Sequence, residues 1–384
     1  MATVPATEET PSSPPARRPR LASLDVFRGI TIAAMVMVNN PGSWSHVYSP
    51  LRHAEWHGCT PTDLIFPFFL FIVGAAAAFS LGATRSVVQT GKRRRTLARV
   101  FRRCAVLFLL GLVLNGFPEY NLDTIRIPGV LQRIALVYML LAPLVLFVAP
   151  RWQAALVFAG AFGHWGLLVG FGGDSPFDAF ANASRALDLL VLDPFHLYRE
   201  GAGTDPEGLL GTIPALLTAW LGYASGVWIR SKPSTGAAAA WLVVAGVIAV
   251  GLGWLWSLWL PMNKPLWTGS YALFTGGWAA IGLGLLLQLI DVMNTRRAFE
   301  PAITFGLNAI FVFVASGLLA RLLIRIPAFW AGADAPTLKA WAFSGLEGLG
   351  LKPLDASLAY ALLNVLLWWP ILALMRMRGW LIKV

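Results

Sequence analysis

TPTDLIFPFFLFIVGAAAAFSLGA (residues 60–83) carries its one carboxylate at the start and then runs from Leu64 to Ala83 without a charge. A helix needs roughly 20 predominantly apolar residues to cross a bilayer's hydrocarbon core, and this run has that length. Thr60 and Asp63 stand three apart with Pro61 between them. That is the spacing of a capping box, with proline at the first helical position and an acid at the positive end of the dipole. The stretch is a membrane-spanning helix with its own start signal, and Asp63 reads equally as a cap or as a site residue.

The same pattern recurs along the chain. Of its 384 residues, 57% are hydrophobic and 13% charged, with 17 Trp and 23 Phe; soluble domains carry about a quarter charged residues. Backbone exposed to lipid must satisfy its own hydrogen bonds, so the expected fold is all-α: an integral membrane, polytopic bundle of about ten transmembrane helices. The spans fall near 21–42, 62–84, 101–118, 128–150, 152–172, 208–229, 236–260, 270–291, 300–324 and 354–376. Residues 1–20, rich in Pro, Ser and Thr, are expected to form a disordered cytoplasmic tail. Residues 21–384 form the transmembrane domain. Asp25 and Arg28 interrupt the first run and no small-residue cleavage site ends it, so it reads as an uncleaved span rather than a signal peptide.

Charge sets the orientation. With both termini cytoplasmic, 19 of the 30 Lys and Arg fall inside, nine outside, and Arg28 and Arg133 within spans. Short cytoplasmic loops carry such an excess. The net charge of +11 is thus mostly a topology signal, and it excludes a nucleic-acid partner, which would require a basic soluble face. Conversely, 14 of the 19 acids fall outside, as suits a cationic or amine-bearing ligand. Cys59 and Cys104 fall on opposite sides and are not expected to pair.

Polar groups gather in the outer connections, where loops on a rigid scaffold commonly bind ligands. His46, His53, Glu55, His57, Asp205, Glu207, Asn263 and Lys264 all lie there. His53 and His57 have the i, i+4 spacing of a zinc pair, but the glutamate is in the wrong place and no third ligand follows, so no metal is expected. Within the spans, Asp25 and Arg28 share a helical face near the cytoplasmic edge. Asn39 and Asn40 mark the outer end of the same span, and Arg126 and Arg133 share a face entering the fourth. Intramembrane ions usually face a cavity or a partner. Asp25–Arg28 therefore reads as a neutralising pair or a ligand contact, and Arg133 as an anion-binding group or a structural partner for an acid.

SLDVFRGITIAAMVMVNNPG (23–42) and RHAEWHGCTPTDLIFPFFLFIVG (52–74) together resemble the heparan-α-glucosaminide N-acetyltransferase family of membrane enzymes and its bacterial relatives. The resemblance continues in order through RIPGVLQRIALVY (126–138), DPEGLLGTIPALLTAWLGYASG (205–226) and PMNKPLWTGSYALFTGGWA (261–279), with an echo in FGLNAIFVF (305–313). It implies an acyltransferase domain over 21–384. The expected reaction moves acetyl from cytosolic acetyl-CoA to the amine of glucosamine, or a related amino sugar or glycan, on the far side of a bacterial plasma (inner) membrane. The family's catalytic histidine matches His53 and its active-site asparagine matches Asn39, whereas His57 matches no family histidine. Eukaryotic members carry eleven spans and a luminal domain; ten spans are the expected core here. Dimers are common in the family, which implies a homodimer as one arrangement, although the residues themselves leave the oligomeric state open.

The chemistry agrees. An amine attacking a thioester must be neutral, and a histidine of ordinary pKa about 6.5 can take its proton. Asn39 is positioned to donate to the developing oxyanion or to hold the imidazole's tautomer. A covalent acetyl-histidine relay is the competing scheme. Arg28 and Arg133, with the basic run 92–103, are candidates for the nucleotide's phosphates. Asp63, Arg126, Asp205, Glu207, Asn263 and Lys264 are candidates for the acceptor pocket. Ten spans with a polar outer face also fit an amino-sugar transporter or a membrane O-acyltransferase of envelope glycans. Transporters often show inverted repeats, and none is evident.

Overall fold

The computed structural model describes residues 21–85, 90–232, 234–332 and 335–382, so the tail expected over residues 1–20 lies outside the described residues. The chain is helical: α1 (Ala22–Asn39), α2 (Ile65–Arg85), α3 (Thr90–Gly116), α4 (Val130–Phe147) and α5 (Pro150–Phe171) come first. A short α6 (Ala183–Val191) precedes α7 (Thr212–Ser231), α8 (Thr235–Trp256) and α9 (Gly269–Leu286), and α9 continues through a wider π turn to Val292. Then come α10 (Glu300–Leu307), α11 (Ala309–Leu323), the short α12 (Leu338–Gly348) and α13 (Pro353–Met377).

Among the described residues, eight helices are long and apolar enough to cross a membrane: α1, α2 with its 3-10 lead-in from Pro61, α4, α5, α7, α8, α9 and α13. The pair α10–α11 makes a ninth if taken as one broken span, bent by 68°. The difference from the ten expected lies in α3, which begins eleven residues earlier than the apolar run at 101 and carries the basic cluster from Lys92 to Arg103 on the same helix.

The break within the ninth span was not expected. It falls at Asn308, whose Nδ2 donates to the Trp380 carbonyl at 3.1 Å while its Oδ1 accepts from the Ile382 amide at 2.8 Å. The side chain thus ties the C-terminal segment into the bend.

Burial separates an inner from an outer ring. In α1, α2, α4, α7 and α9, 56% to 61% of the apolar window is buried, against 22% to 28% in α5, α8 and α13. The inner helices approach closely through glycine. A Cβ on Gly74 of α2 would sit 1.8 Å from the Ala219 carbonyl oxygen of α7, and one on Gly222 would sit 1.9 Å from that of Phe71. Gly306 of α10 meets α1 the same way, 2.0 Å from the Asp25 oxygen. Backbone contact of this kind is how helices pack where hydrophobic burial gives no drive.

The long connection before α7 is folded rather than loose. Asn182 caps α6 through Arg185 N, Asp193 caps the next turn, and the Ile127 amide donates to the His196 carbonyl at 2.9 Å. α7 begins at Thr212 rather than near 208 because Asp205–Gly211 is spent on turns. There the Gly208 carbonyl accepts from Arg133 Nη2 at 2.6 Å.

Candidate active site

Asp63 organises the site. It is the third residue of the 3-10 turn Pro61–Leu64 that leads into α2, and its Oδ2 accepts from the Thr60 amide at 3.1 Å, completing the capping box. The same oxygen accepts from the Ala54 amide at 3.0 Å, folding the 53–60 loop back onto the helix start. Its other oxygen, Oδ1, lies 2.6 Å from His53 Nδ1. The cap and the site partner are therefore one carboxylate.

Lys264 Nζ comes within 3.1 Å of the same imidazole nitrogen and 3.4 Å of Asp63 Oδ1. A nitrogen that donates to Asp63 has no lone pair for Lys264, and the shorter contact decides: Nδ1 carries the proton. Nε2 then holds the free lone pair on a side chain that is 50% exposed, whereas the Asp63 side chain is 1% exposed. Burial pulls the Lys264 ammonium down from the usual lysine value, against the opposing pull of Asp63 and Glu207.

The Asn263–Thr268 turn sets Lys264. Asn263 is fully buried; its Nδ2 donates to the Trp56 carbonyl at 3.0 Å and its Oδ1 accepts from the Leu266 amide at 2.8 Å. Trp267, also fully buried and at φ 49°, packs edge-on against Phe66 and Tyr271. The Tyr271 hydroxyl in turn donates to the Asp63 carbonyl at 2.6 Å.

His53, Asp63 and Lys264 face a chamber of about 520 Å³ whose lining also includes Asn39, Arg126 and Glu207. Arg126 reaches Asp205 and Glu207, each at 2.6 Å from Nη2, and its guanidinium lies 4.8 Å from the Tyr198 ring centre. Burial works against its charge, but the two carboxylates more than offset that and raise its pKa. Cys59 is pushed up to about 12 by burial, with Asp63 adding to the rise, so its thiol is not a nucleophile here. Burial lowers His57, whose Nδ1 accepts from Asn263 Nδ2 at 3.3 Å as part of the loop's frame.

A second cavity, of about 310 Å³, lies deeper along α1, lined by Arg28, Ser80, Arg103, Tyr138, Gly306 and Ile382 among others. Between the two is a void of only about 10 Å³ lined by Ile32, Met35, Phe69, Ile310 and Phe313. Met35 belongs to the chamber as well, while Phe69 and Ile310 also line the deeper cavity.

The catalytic-domain profile named "Heparan-alpha-glucosaminide N-acetyltransferase, catalytic" matches residues 20–241. The chain belongs to this family. It is similar to the human heparan-alpha-glucosaminide N-acetyltransferase, 31% identical over 355 aligned residues that cover 77% of this chain and 52% of that protein. Similarity to the mouse protein of the same name is 28% over 411 aligned residues, covering 92% and 60% respectively. The chain thus spans roughly half to three fifths of the length of these relatives.

Of the residues picked from sequence, Asn39, His53, Asp63, Arg126, Glu207 and Lys264 share the outer chamber. Arg28 lines the deeper cavity and also lies 3.0 Å from Asp25, so the neutralising pair and the cavity wall coincide. Asp205, 1% exposed, sits behind Arg126 and accepts from the Tyr198 amide at 2.7 Å. Asn263 is likewise behind the wall. Arg133, expected on the donor's anion, lines neither cavity: it is 1% exposed, bonded to Gly208 and stacked over Trp267. Burial against a carbonyl and an indole makes it a support for the 205–211 turn. Among the described residues no cluster of three His, Cys, Asp or Glu has metal-holding geometry. Sequence reasoning missed Tyr198, since an aromatic beside an arginine in a long loop carries no distinctive spacing; of the basic run 92–103 named for the phosphates, Arg103 is the residue that lines the deeper cavity.

Proposed function

We propose that the protein transfers an acetyl group from cytosolic acetyl-CoA to the amine of glucosamine or a related amino sugar held in the outer chamber. The observation that carries this reading is the His53–Asp63 pair at 2.6 Å, aimed into a chamber that lines up with a basic deeper cavity through a single apolar constriction. Arg28 and Arg103 suit an anionic nucleotide, and the apolar wall of the constriction suits an acyl-pantetheine arm. About 16 Å of rise separates Arg28 from Asn39 along α1, at 1.5 Å per residue, so one extended thioester reaches both regions.

His53 Nε2 takes a proton from the sugar ammonium. The neutral amine attacks the thioester carbonyl and a C–N bond forms; the C–S bond breaks, the imidazolium gives its proton to the departing thiolate, and the nitrogen of the new amide loses its surplus proton to water. Asp63 holds the tautomer and stabilises the imidazolium, the role a buried carboxylate plays beside a catalytic histidine. Asn39 donates to the oxyanion. Arg126 and Glu207 bound the acceptor, and Lys264 neutralises Asp63.

The protein acts as a multi-pass protein of a bacterial plasma membrane, with both termini cytoplasmic and α3 as the tenth crossing, its basic end at the inner surface. The positive-inside distribution supports this orientation. Purified protein given acetyl-CoA and glucosamine is expected to release free thiol. His53→Ala should lower kcat by about 10² to 10⁴-fold, the usual contribution of a general base, with the KM for acetyl-CoA unchanged. Thiol release unaltered in that variant defeats the assignment, and acetyl-histidine trapped by acetyl-CoA alone replaces direct transfer with a relay.

A further inference from the structure

Lys264 contributes little to direct transfer beyond offsetting Asp63, yet among the described residues it is the only primary amine in the chamber wall. Its turn aims it there. The Lys264 carbonyl accepts from the Trp267 amide at 3.0 Å and the Asn263 carbonyl from the Thr268 amide at 3.1 Å, while Pro265 lines the chamber beside it. The side chain is 17% exposed, so it meets the chamber but little bulk water.

Its ammonium is loosely held. Its one ion pair among the described residues is with Asp63 Oδ1 at 3.4 Å, and that oxygen already takes the His53 proton at 2.6 Å. The 3.1 Å contact with His53 Nδ1 supplies no acceptor, because that nitrogen carries a proton. Burial lowers the ammonium's pKa against the pull of Asp63 and Glu207, which enlarges the neutral, nucleophilic fraction of the amine. A lysine so desolvated is a recognised kind of nucleophile. Cys59, the neighbouring candidate, is absent from the chamber lining and keeps its thiol proton. Lys264 also touches the ring whose Nε2 serves the sugar. A thioester carbonyl placed for the sugar's amine therefore lies about one imidazole's width from Nζ.

We propose that Lys264 is itself an acetyl acceptor: when the chamber holds the thioester but no sugar, its ε-amine takes the acetyl group and the protein becomes inactive. The ε-ammonium first gives one proton to water. The neutral amine attacks the thioester carbonyl, a C–N bond forms and the C–S bond breaks. The nitrogen's surplus proton passes to the departing thiolate, leaving free CoA thiol and an amide on Lys264. The amide carries no charge, so Asp63 loses its cation, and the added acyl group stands in the chamber beside His53. Because an amide resists water near neutral pH, the product is a dead end rather than an intermediate, and the supply of acceptor sets how much protein stays active. This rests on the acetyl-transfer reading above and adds to it a modification site on the chain itself.

The test incubates the purified full chain with acetyl-CoA and no acceptor. Samples taken over time are read by peptide mass and by residual acetylation of glucosamine. Lys264 is expected to gain one acetyl group that survives hydroxylamine, which strips an acyl-imidazole. The modification should run at least about tenfold faster than on the exposed Lys92 and Lys352, the minimum advantage of an amine held beside the thioester. Residual kcat should fall in step with the unmodified fraction, and saturating glucosamine should slow both changes. Lys264→Arg keeps the cation but offers no amine, so its own starting rate should hold constant through the same incubation; the mass measurement on the wild type decides even where that rate is low. Lys264 left unmodified by a protein that acetylates glucosamine overturns the proposal and leaves the transfer reading standing. Modification no faster than on Lys92 and Lys352, or modified protein with undiminished kcat, overturns it equally. A protein that acetylates neither glucosamine nor Lys264 removes both.

Discussion

The outer chamber and the deeper cavity share α1, yet they hold their charges by different means. Around His53 each ion meets an opposite charge at short range: Asp63 between imidazole and Lys264, Arg126 between Asp205 and Glu207. The backbone is equally committed, since the Ala54, Thr60 and Tyr198 amides all bond to these carboxylates. In the deeper cavity Arg28 has Asp25 at 3.0 Å, but Arg103 stands over the Tyr138 ring at 5.6 Å and much of the remaining wall is small and apolar, as at Ala76, Ala77 and Gly306. The difference follows from the work proposed for each. A proton-transfer group must be fixed within tenths of an ångström before the substrate arrives. A site that admits and releases a large anion each turnover needs room and charge more than fixed partners.

The sharpest way to break this comparison is at Asp63. Asp63→Asn keeps the shape of the cap but offers Nδ1 a different partner, so the tautomer with a free Nε2 is no longer favoured. A loss of roughly 10²-fold or more in kcat is expected, within the range for general-base catalysis, with the KM for acetyl-CoA unaltered. Because Asp63 also closes the capping box, a loss of stability of about 1 kcal/mol should accompany it. Thermal unfolding in detergent separates the two effects. A variant with lower stability but wild-type kcat would reduce Asp63 to a cap and remove the contrast between the two cavities.

That double role explains what sequence could and could not reveal. The run 60–83 announced both its span and its cap, and HAEWH announced a histidine, because rare polar residues in an apolar chain stand out. The deeper cavity was illegible. Small residues such as Ala76, Ala77 and Gly306 line it, and small residues are equally common wherever helices merely pack. The bend at Asn308 was hidden for a related reason: its cause is an amide reaching across to Trp380 and Ile382, 72 and 74 positions away. Arg133 is the opposite case, left open between an anion and a structural partner. An arginine inside a span invites an anion, and only the fold supplies the Gly208 carbonyl and the Trp267 face that hold it instead.

A milder change sharpens the comparison from the donor side. Arg103→Gln is expected to raise the KM for acetyl-CoA about tenfold, the scale of one charge-assisted hydrogen bond, while kcat at saturating donor stays near wild type. The effect should shrink as salt screens the charge. If kcat falls and KM does not, Arg103 belongs with the fixed groups of the outer chamber and the proposed division of labour fails.

The smallest expected effect concerns how firmly the outer charges are held. Asp188 on α6 is fully buried; its Oδ1 accepts from the Leu209 amide at 2.8 Å and its Oδ2 has no partner among the described residues. Burial pushes its carboxyl up to about 6 from 3.8, Asp205 adds to the rise, and Leu209 and Arg133 oppose it. Between those values the folded chain binds a proton that the unfolded chain has released, so stability falls as pH rises through that window. A rise of that size is worth on the order of 3 kcal/mol at most. Asp188→Asn removes the titration while retaining an acceptor for Leu209. Relative to wild type it should therefore gain thermal stability at pH 7.5 and lose that gain at pH 5, with kcat changed less than about threefold. A constant difference across the range would mean that Asp188 stays ionised in the folded protein. The turn carrying Asp205 and Glu207 would then rest on a carboxylate as firmly engaged as Asp63, extending the fixed network one layer beyond the chamber wall.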